Sequence, residues 1–259
     1  MIRKRLGQHF LFDPSILKRI VDAARLSPED TVVEIGPGLG RLTALLAEHV
    51  ARVIAIELDE KLFERLEEEF PGHPVIELVH GDALRYPYEQ LDRFKVVANI
   101  PYYITTPILF RLLEQRGRIR SITIMTQKEV AERVVAKPGG KDYGVLSIMA
   151  QYRGHPELKF IVPRGAFRPV PKVDSAVIHL EVPEGPTVPV GDERLFTRIV
   201  KVAFSQRRKT LANALKSVSP EMRELLIGAG IDPARRAETL SIEEFAGLAD
   251  AVARRRSGP

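Results

Sequence analysis

Short apolar runs alternate with amphipathic stretches along roughly the first two thirds of the chain. The runs are rich in β-branched residues, as in TVVEIG, RVIAIE, FKVVANI and SITIMT, and each is too short for a helix. Between them lie stretches of helical period, such as RLTALLAEHV, EKLFERLEEEF and TPILFRLLEQ. Apolar strands separated by single helices predict a mostly parallel sheet covered on both faces. Two late runs, ELKFIV and SAVIHLEV, could form an antiparallel pair at one edge.

Two places in this pattern carry signals for the start of a helix. Asp13 followed by Pro14 is typical of an N-cap and a first helical position. After FKVVANI, we expect Thr105 or Thr106 to be the N-cap and Pro107 the first helical residue. The intervening NIPYYI is unusual, because a simple turn is ordinarily built from Gly, Ser or Asp. A loop whose tyrosines pack on the edge of the sheet would explain it without a functional site.

The pattern changes at residues 182–192, VPEGPTVPVGD. Its prolines and glycines predict a stiff, non-helical linker. Beyond it every segment has helical period, and the last one opens with Ser241 and Glu244 in the spacing of a capping box. We therefore predict a Rossmann-like α/β domain over residues 1–184 and a small α-helical domain over residues 185–259.

The composition narrows the possible chemistry. The 259 residues include no cysteine, which excludes disulfides, thiolate nucleophiles and Cys-ligated metals. The six histidines contain no H-x-x-x-H pair, so we expect no metal site. No run of eighteen apolar residues is present, and residues 1–15 lack the apolar core of a secretory signal. These features favour a cytoplasmic protein without a membrane partner.

The net charge of +5 is concentrated at one end of the chain. Residues 185–259 hold 13 Lys and Arg against 9 Asp and Glu, whereas the preceding 184 residues hold 26 against 25. A basic segment on a near-neutral body favours a polyanionic partner. A surface that serves solubility alone would give the same excess.

A nucleotide-type site is predicted at the carboxyl ends of the strands. The first strand runs into EIGPGLGRLT, where Gly36 and Gly38 allow a tight turn and close approach of a ligand to the backbone. The dinucleotide fingerprint would need glycine where Arg41 stands, so the turn is more typical of S-adenosylmethionine (SAM) enzymes. Glu57 ends the second strand and suits ribose hydroxyls. Asp82 follows the third and suits the adenine amine, although capping a helix is the alternative role.

The fourth strand ends on the same rim, at Asn99-Ile100-Pro101-Tyr102. The amine of adenine is a poor nucleophile because its lone pair is delocalised into the ring. The Asn99 amide oxygen and the Ile100 carbonyl could accept its two hydrogens, and Pro101 restricts Ile100 to extended geometry. Tyr102 offers a ring face on which a flipped base can stack. Because the sulfonium of SAM is a strong electrophile, the task left to the protein is positioning.

These motifs carry a family resemblance. Seven of them occur in the order seen in ribosomal RNA adenine dimethyltransferases, and they span residues 5–215. They are RLGQHFL, VEIGPGLGRLT, AIELD, GDAL, VANIPYYITTPIL, FRPVPKVDSAV and AFSQRRKTLANAL. PVPKVDSAV, FSQRRKTL and the helical tail make the chain more similar to the bacterial small-subunit enzymes than to the macrolide-resistance enzymes that modify large-subunit RNA.

The resemblance implies roles for individual residues. His9 and Leu11 match positions that contact SAM, and His9 stands where the family often has Asn, which can also donate a hydrogen bond. Four further positions match the family's cofactor residues: Gly36, Glu57, Asp82 and Asn99. Tyr102 matches the base-stacking aromatic, and Phe167 matches the aromatic on the other face of the target base. Without the family, Phe167 would be interpreted as a core residue in a Pro-rich loop.

Three consecutive cations, Arg207, Arg208 and Lys209, are predicted to bind RNA. They stand where the second helix of the helical domain is expected to begin, and positive charge there opposes the helix dipole. Phosphates bound between the cations and the helix N-terminus would relieve this mismatch. A solvated start of a helix is the simpler interpretation.

The implied reaction is transfer of methyl groups from SAM to N6 of two adjacent adenosines in a hairpin loop near the 3′ end of 16S rRNA, as part of ribosome biogenesis. The implied partner is 16S rRNA in the 30S subunit or its precursor, and we expect a monomer. Three alternatives share parts of the pattern: a large-subunit resistance methyltransferase, a non-catalytic RNA-binding assembly factor and a small-molecule methyltransferase. The Asn-Ile-Pro-Tyr stretch argues against the non-catalytic assembly factor, and the basic tail argues against the small-molecule methyltransferase.

Overall fold

The computed structural model describes residues 9–257, which form two compact units. The first unit comprises residues 9–131 and 155–184 of the described chain. Its strands are β1 (Phe10–Leu11), β2 (Thr31–Ile35), β3 (Arg52–Glu57), β4 (Ile76–His80), β5 (Phe94–Asn99), β6 (Ile119–Gln127), β7 (His155–Val162), β8 (Phe167–Arg168) and β9 (Ser175–Glu181). Its helices include α1 (Pro14–Ala23), α2 (Arg41–Ala47), α3 (Glu60–Glu69) and α4 (Thr105–Leu113).

Seven of these strands form one sheet in the order β4-β3-β2-β5-β6-β9-β7. Strands β2 to β6 are parallel, and β9 is antiparallel to both β6 and β7. The structure therefore confirms the predicted Rossmann-like sheet with an antiparallel edge. The chain winds outward from β2 in one direction and from β5 in the other. The carboxyl ends of the strands around this switch point form the rim at which such sheets bind ligands.

The sequence signals at the helix starts had different outcomes. Asp13 caps α1 by accepting a hydrogen bond from the Ser15 N–H, and Pro14 is the first helical residue, as predicted. The predicted start of α4 was wrong, because the N-cap is Ile104 and Pro107 is the third residue of the helix. Thr105 does not cap, since its hydroxyl lies 2.9 Å from the Thr126 hydroxyl inside the core.

The second unit is α-helical and comprises residues 132–154 and 185–257 of the described chain. Helix α5 (Lys128–Val135) crosses its boundary, and α6 (Val145–Arg153), α7 (Glu193–Ser205), α8 (Leu211–Ala214), α9 (Met222–Gly228) and α10 (Ile242–Ser257) lie within it. The predicted capping box is present: the Ser241 N–H donates to Glu244, and the Glu244 N–H donates to the Ser241 hydroxyl. No helix within residues 9–257 is long and apolar enough to cross a membrane.

The residue ranges of the two units differ from the predicted domains in one segment. The predicted boundary between residues 184 and 185 coincides with a boundary between the units. Residues 132–154, however, group with the C-terminal helices. Within that unit, the Tyr152 hydroxyl of α6 donates to the Glu193 carboxylate of α7 at 3.0 Å. A helix on one side of the linker thus packs with helices on the other side, and local periodicity carries no signal for this.

Candidate active site

The turn from β2 into α2 depends on glycine. Gly36, Gly38 and Gly40 have φ angles of +69°, +59° and +74°, which other residues rarely adopt. A Cβ atom added at Gly40 would also lie 2.7 Å from the ring of Phe70. The turn is tied to the next strand, because the Gly38 N–H donates to Oε2 of Glu57 at 3.1 Å.

Glu57 organises the rim as well as bordering it. Its carboxylate also accepts hydrogen bonds at Oε1 from the N–H groups of Leu58 and Asp59, both at 2.9 Å. A carboxylate offers about four acceptor positions, so about one stays open for a ligand. Burial raises the pKa of Glu57, and the three backbone N–H donors oppose this shift. The open position suits one ribose hydroxyl, whereas the sequence had suggested two.

Two cavities adjoin at this rim. The larger encloses about 770 Å³ when the open space at its mouth is included, and the predicted site residues in its lining are His9, Leu11, Gly36, Gly38, Glu57, Asn99, Tyr102 and Phe167. The smaller encloses about 420 Å³ on the same basis and is lined by Glu57, Asp82, Leu58, Ala83 and Tyr103 among others. Gly36, Glu57 and Pro101 border both cavities. Every residue predicted to bind the cofactor or the target base therefore lines one cavity or the other.

The larger cavity is closed by segments that are far apart in sequence. Strands β1 and β8 pair antiparallel, with Leu11 opposite Phe167. Beside them the His9 Nδ1 lies 2.7 Å from the Pro169 carbonyl oxygen, and the His9 ring stacks on Tyr102 with 5.8 Å between centroids. The structure thus brings the QHFL and FRPVPK motifs together. Residues 5–8, the start of the first motif, lie outside the described residues.

The two aromatic residues predicted to hold a base differ in their surroundings. Tyr102 is half-buried, its hydroxyl lies 2.7 Å from the Ser175 hydroxyl, and burial raises its pKa. Phe167 is only 1% exposed and belongs to the hydrophobic core packed around α1. Phe167 is therefore a core residue and a lining residue at once. One face of Tyr102 is already in contact with His9.

Asn99 lines the larger cavity, and Asp82 lines the smaller one. Asn99 ends β5 opposite Met125 of β6, and the following Ile100 N–H donates to the Met125 carbonyl at 3.2 Å, which fixes this backbone at the rim. The Oδ1 of Asp82 accepts from the Leu84 N–H at 2.9 Å. The helix-capping role considered for Asp82 is not found, because the segment that follows β4 is a turn and not a helix; the carboxylate accepts within that turn and also borders the smaller cavity.

Several lining residues were not predicted from the sequence, among them Glu34, Leu58 and Tyr103. Glu34, in the middle of β2, is fully buried beside the larger cavity, and its Oε2 has no hydrogen-bond partner among the described residues. Burial raises the pKa of Glu34 to about 8, and the charge of Glu57 adds to this. Leu58 and Tyr103 border the smaller cavity and are 50% and 56% exposed. Glu34 could have been noticed in the sequence, because it is an acidic residue within an apolar strand. The exposure of Leu58 and Tyr103 cannot be read from the sequence.

The predicted RNA-binding cations lie in the turn between α7 and α8 of the helical unit. Helix α8 has only four residues, so the dipole argument made from the sequence does not apply. Arg207 donates to the carbonyl oxygens of Lys141 and Tyr143 at 2.9 and 3.1 Å, which ties two loops together. Arg208 and Lys209 are exposed, and their side chains have no hydrogen bond or ion pair within residues 9–257.

The fold is a Rossmann-like α/β domain of the methyltransferase type. Its marks are the glycine turn after β2, the buried acid ending β3 and the acid after β4. The sequence matches the family Ribosomal RNA adenine dimethylase over residues 1–254, and the chain belongs to this family. This confirms the predicted class of enzyme, a ribosomal RNA adenine dimethyltransferase.

Individual relatives agree with the family. The Ribosomal RNA small subunit methyltransferase A of Moorella thermoacetica is 50% identical over 261 residues, covering 95% of this chain and 91% of that protein. The crystal structure of the 23S rRNA methyltransferase ErmE matches with a TM-score of 0.73 and 30% identity, covering 95% of this chain and all of that one. A dimethyladenosine transferase from Plasmodium falciparum matches with a TM-score of 0.77 and 27% identity, covering 93% and 96%.

Proposed function

We propose that this protein transfers methyl groups from SAM to N6 of two adjacent adenosines in a hairpin loop near the 3′ end of 16S rRNA. The product is N6,N6-dimethyladenosine, and the substrate is the 30S subunit or its precursor in the cytoplasm, bound by a monomer. The observation that carries the proposal is the meeting of Gly36, Glu57, Asp82 and Asn99 around two adjoining cavities. The 50% identity to a small-subunit methyltransferase, against 30% to ErmE, supports the small-subunit target.

The lining residues suit SAM. Glu57 keeps an open acceptor position for a ribose hydroxyl, and Asp82 can accept from the adenine amine. Glu34 places an unpartnered carboxyl oxygen beside the larger cavity, where a cationic ligand group would favour its ionised form. SAM, when bound, would supply an electrophilic methyl group, and the leaving group would be the neutral thioether that remains after the carbon–sulfur bond breaks.

Asn99 and Ile100 would then prepare the target nitrogen. Their oxygens accept the two amine hydrogens and favour a nitrogen whose lone pair is free to attack the methyl carbon. The hydrogen bond from Ile100 to β6 holds this backbone in place before substrate arrives. Tyr102 supports the base through its ring. Catalysis is therefore assigned to positioning of the two reactants.

The helical unit offers a surface for the RNA backbone. Arg208 and Lys209 are exposed beside the end of α7, and Arg194, Arg198 and Lys201 are exposed along one face of that helix at intervals of four and three residues. Cations without acidic partners bind phosphates and release counterions from the nucleic acid. This surface supports a macromolecular RNA substrate over a small molecule.

The test is methylation of 30S particles that lack the modification, using labelled SAM and mapping of the labelled bases. We expect label only in two adjacent adenosines of the 16S hairpin, and none in parallel reactions with 50S particles. Label in 23S rRNA would show that the substrate is the large subunit and not the small one. Absence of any incorporation would favour a binding protein, and incorporation without RNA would favour a small-molecule methyltransferase.

A further inference from the structure

Tyr102 and Tyr103 are consecutive in sequence but border different cavities. Tyr102 lines the larger one with Asn99. Tyr103 lines the smaller one with Asp82 and Leu58. Both lie in the single 3₁₀ turn Tyr102–Ile104 after β5, in which consecutive side chains point in different directions. One turn therefore supplies an aromatic ring to each cavity.

The smaller cavity has the chemistry of a site for a flat heterocycle. Most of its lining side chains are apolar: Ile35, Ile56, Leu58, Ala83, Pro101 and Ile104. The charged residues in the lining are Glu57 and Asp82. An adenine ring combines apolar faces with an amine at its edge, and the neighbouring ribose carries hydroxyls for Glu57. Apolar walls with two carboxylates match this combination.

The strand order places Leu58 and Tyr103 on the two sides of this cavity. Leu58 follows β3 and Tyr103 follows β5, and these strands flank β2 in the sheet. Both residues are at least half exposed although they line a concave site. Covering them with a ligand would bury apolar surface on both sides at once.

Tyr103 lines the smaller cavity together with the two acids. Within residues 9–257 its hydroxyl has no hydrogen-bond partner. Partial burial raises the pKa of Tyr103, and the charges of Glu57 and Asp82 raise it further. The phenol is thus neutral at physiological pH and close to the groups assigned to the nucleoside.

We propose that Tyr103 is a cofactor-binding residue whose ring packs on the adenine of SAM, with Leu58 on the other side of the site. Tyr102 is left for the target base, so the two adjacent tyrosines serve two different adenines. The inference rests on the proposed function in taking SAM as the cofactor. Two competing roles for Tyr103 are a solvated surface residue and a second stacking platform for RNA.

The test is calorimetric titration of the full chain with S-adenosylhomocysteine (SAH), the product that retains the adenosine. Tyr103→Ala should weaken SAH binding roughly 5- to 150-fold, the range for a lost base-stacking aromatic. Tyr103→Phe should stay within about threefold of wild type, because the ring provides the contact. Binding of the unmethylated 16S hairpin, measured on the same samples, should not change.

Two controls separate the possible outcomes. Ile227→Ala removes another exposed apolar side chain, 60% exposed on α9 in the helical unit, and should leave SAH binding unchanged. Melting temperatures should agree among all variants, since Tyr103 is exposed. Unchanged SAH binding by Tyr103→Ala would overturn the inference, as would loss of hairpin binding alone. If wild type itself fails to bind SAH, the proposed function fails, whatever the variants do.

Discussion

The two cavities of the rim are built in different ways. The smaller is bounded by loops that follow neighbouring strands β2 to β5, and its apolar walls at Leu58 and Tyr103 are exposed. The larger is closed by the pairing of β1 with β8, and its aromatic residues already contact one another, as His9 does with Tyr102. The smaller cavity therefore presents an open apolar surface, whereas the larger one has part of its surface occupied by the protein.

This difference suggests different costs of binding. A ligand of the smaller cavity covers apolar surface without displacing a protein contact. A base that stacks on Tyr102 must use the face away from His9 or displace the His9 ring. Breaking that contact and the neighbouring hydrogen bond from His9 to Pro169 would consume part of the stacking energy. Substitutions test which residues around the two cavities bind the cofactor and which bind the target base.

Replacement of Asn99 by alanine should have the largest effect, and mainly on the methyl-transfer step once SAM is saturating. With saturating SAM, the single-turnover rate of 30S methylation should fall roughly 10²- to 10³-fold, as when one transition-state hydrogen bond is removed. RNA affinity should change little, because the interaction forms mainly in the transition state. Asn213→Ala, an exposed asparagine on α8, is the control. A wild-type rate for Asn99→Ala would exclude the alignment mechanism.

Replacement of Glu57 should weaken cofactor binding. Glu57→Ala should cost roughly 1.5–3 kcal/mol in SAM affinity, measured by calorimetry, since a charge-assisted acceptor is lost. Glu57→Gln keeps an oxygen acceptor and should lose less. Because burial raises the pKa of Glu57, wild-type SAM affinity should also decrease as the pH falls through that pKa and the carboxylate is protonated. An unchanged dissociation constant for Glu57→Ala would remove this residue from the site.

Replacement of Tyr102 should weaken binding of the RNA hairpin that carries the target base. Tyr102→Ala should cost roughly 1–3 kcal/mol of hairpin binding through the lost stacking platform. Tyr102→Phe should leave hairpin binding almost unchanged because it keeps the ring, and the lost hydrogen bond to the buried Ser175 hydroxyl should instead lower the free energy of unfolding by about 0.5–1.5 kcal/mol. Equal losses for Phe and Ala would show that the hydroxyl, and not the ring face, is the important group.

The smallest effect is expected when exposed cations of the helical unit are replaced, and it concerns the salt dependence of RNA binding. Arg208→Gln with Lys209→Gln should flatten the salt dependence of RNA binding by a log–log slope of about 0.7–0.9 per lost phosphate contact. Arg207 is left intact, because it ties the loop at Lys141 and Tyr143. Lys18→Gln with Lys61→Gln removes the same charge from exposed positions of α1 and α3 and should leave the slope unchanged. Equal slopes for both double variants would identify Arg208 and Lys209 as solvated charges.

The parts of the site that could be predicted from the sequence lie at strand ends. Parallel strands bring their carboxyl ends to one edge, so the order of strands along the chain is enough to place Glu57, Asp82 and Asn99 together. The pairing of Leu11 with Phe167 joins segments far apart in the chain, and no local pattern encodes it. Only the family resemblance pointed to these two residues.

The remaining differences also have physical causes. Thr105 was a good N-cap candidate by type, but its hydroxyl is used in the core by Thr126. Residues 132–154 join the helical unit through contacts that involve side chains such as Tyr152, which periodicity does not record. Tyr103 and Leu58 were overlooked because exposure beside a cavity cannot be read from the sequence. The chain pattern gives the elements, whereas tertiary contacts decide which side chains stay free.

The most direct test of the account measures two dissociation constants, for SAH and for the unmethylated 16S hairpin, on wild type, Glu57→Ala and Tyr102→Ala. If Glu57 binds the cofactor and Tyr102 binds the target base, Glu57→Ala should weaken SAH binding at least about tenfold and leave the hairpin constant within about threefold. Tyr102→Ala should do the reverse. If both variants shift both constants by similar factors, the assignment of Glu57 to the cofactor and of Tyr102 to the target base is wrong.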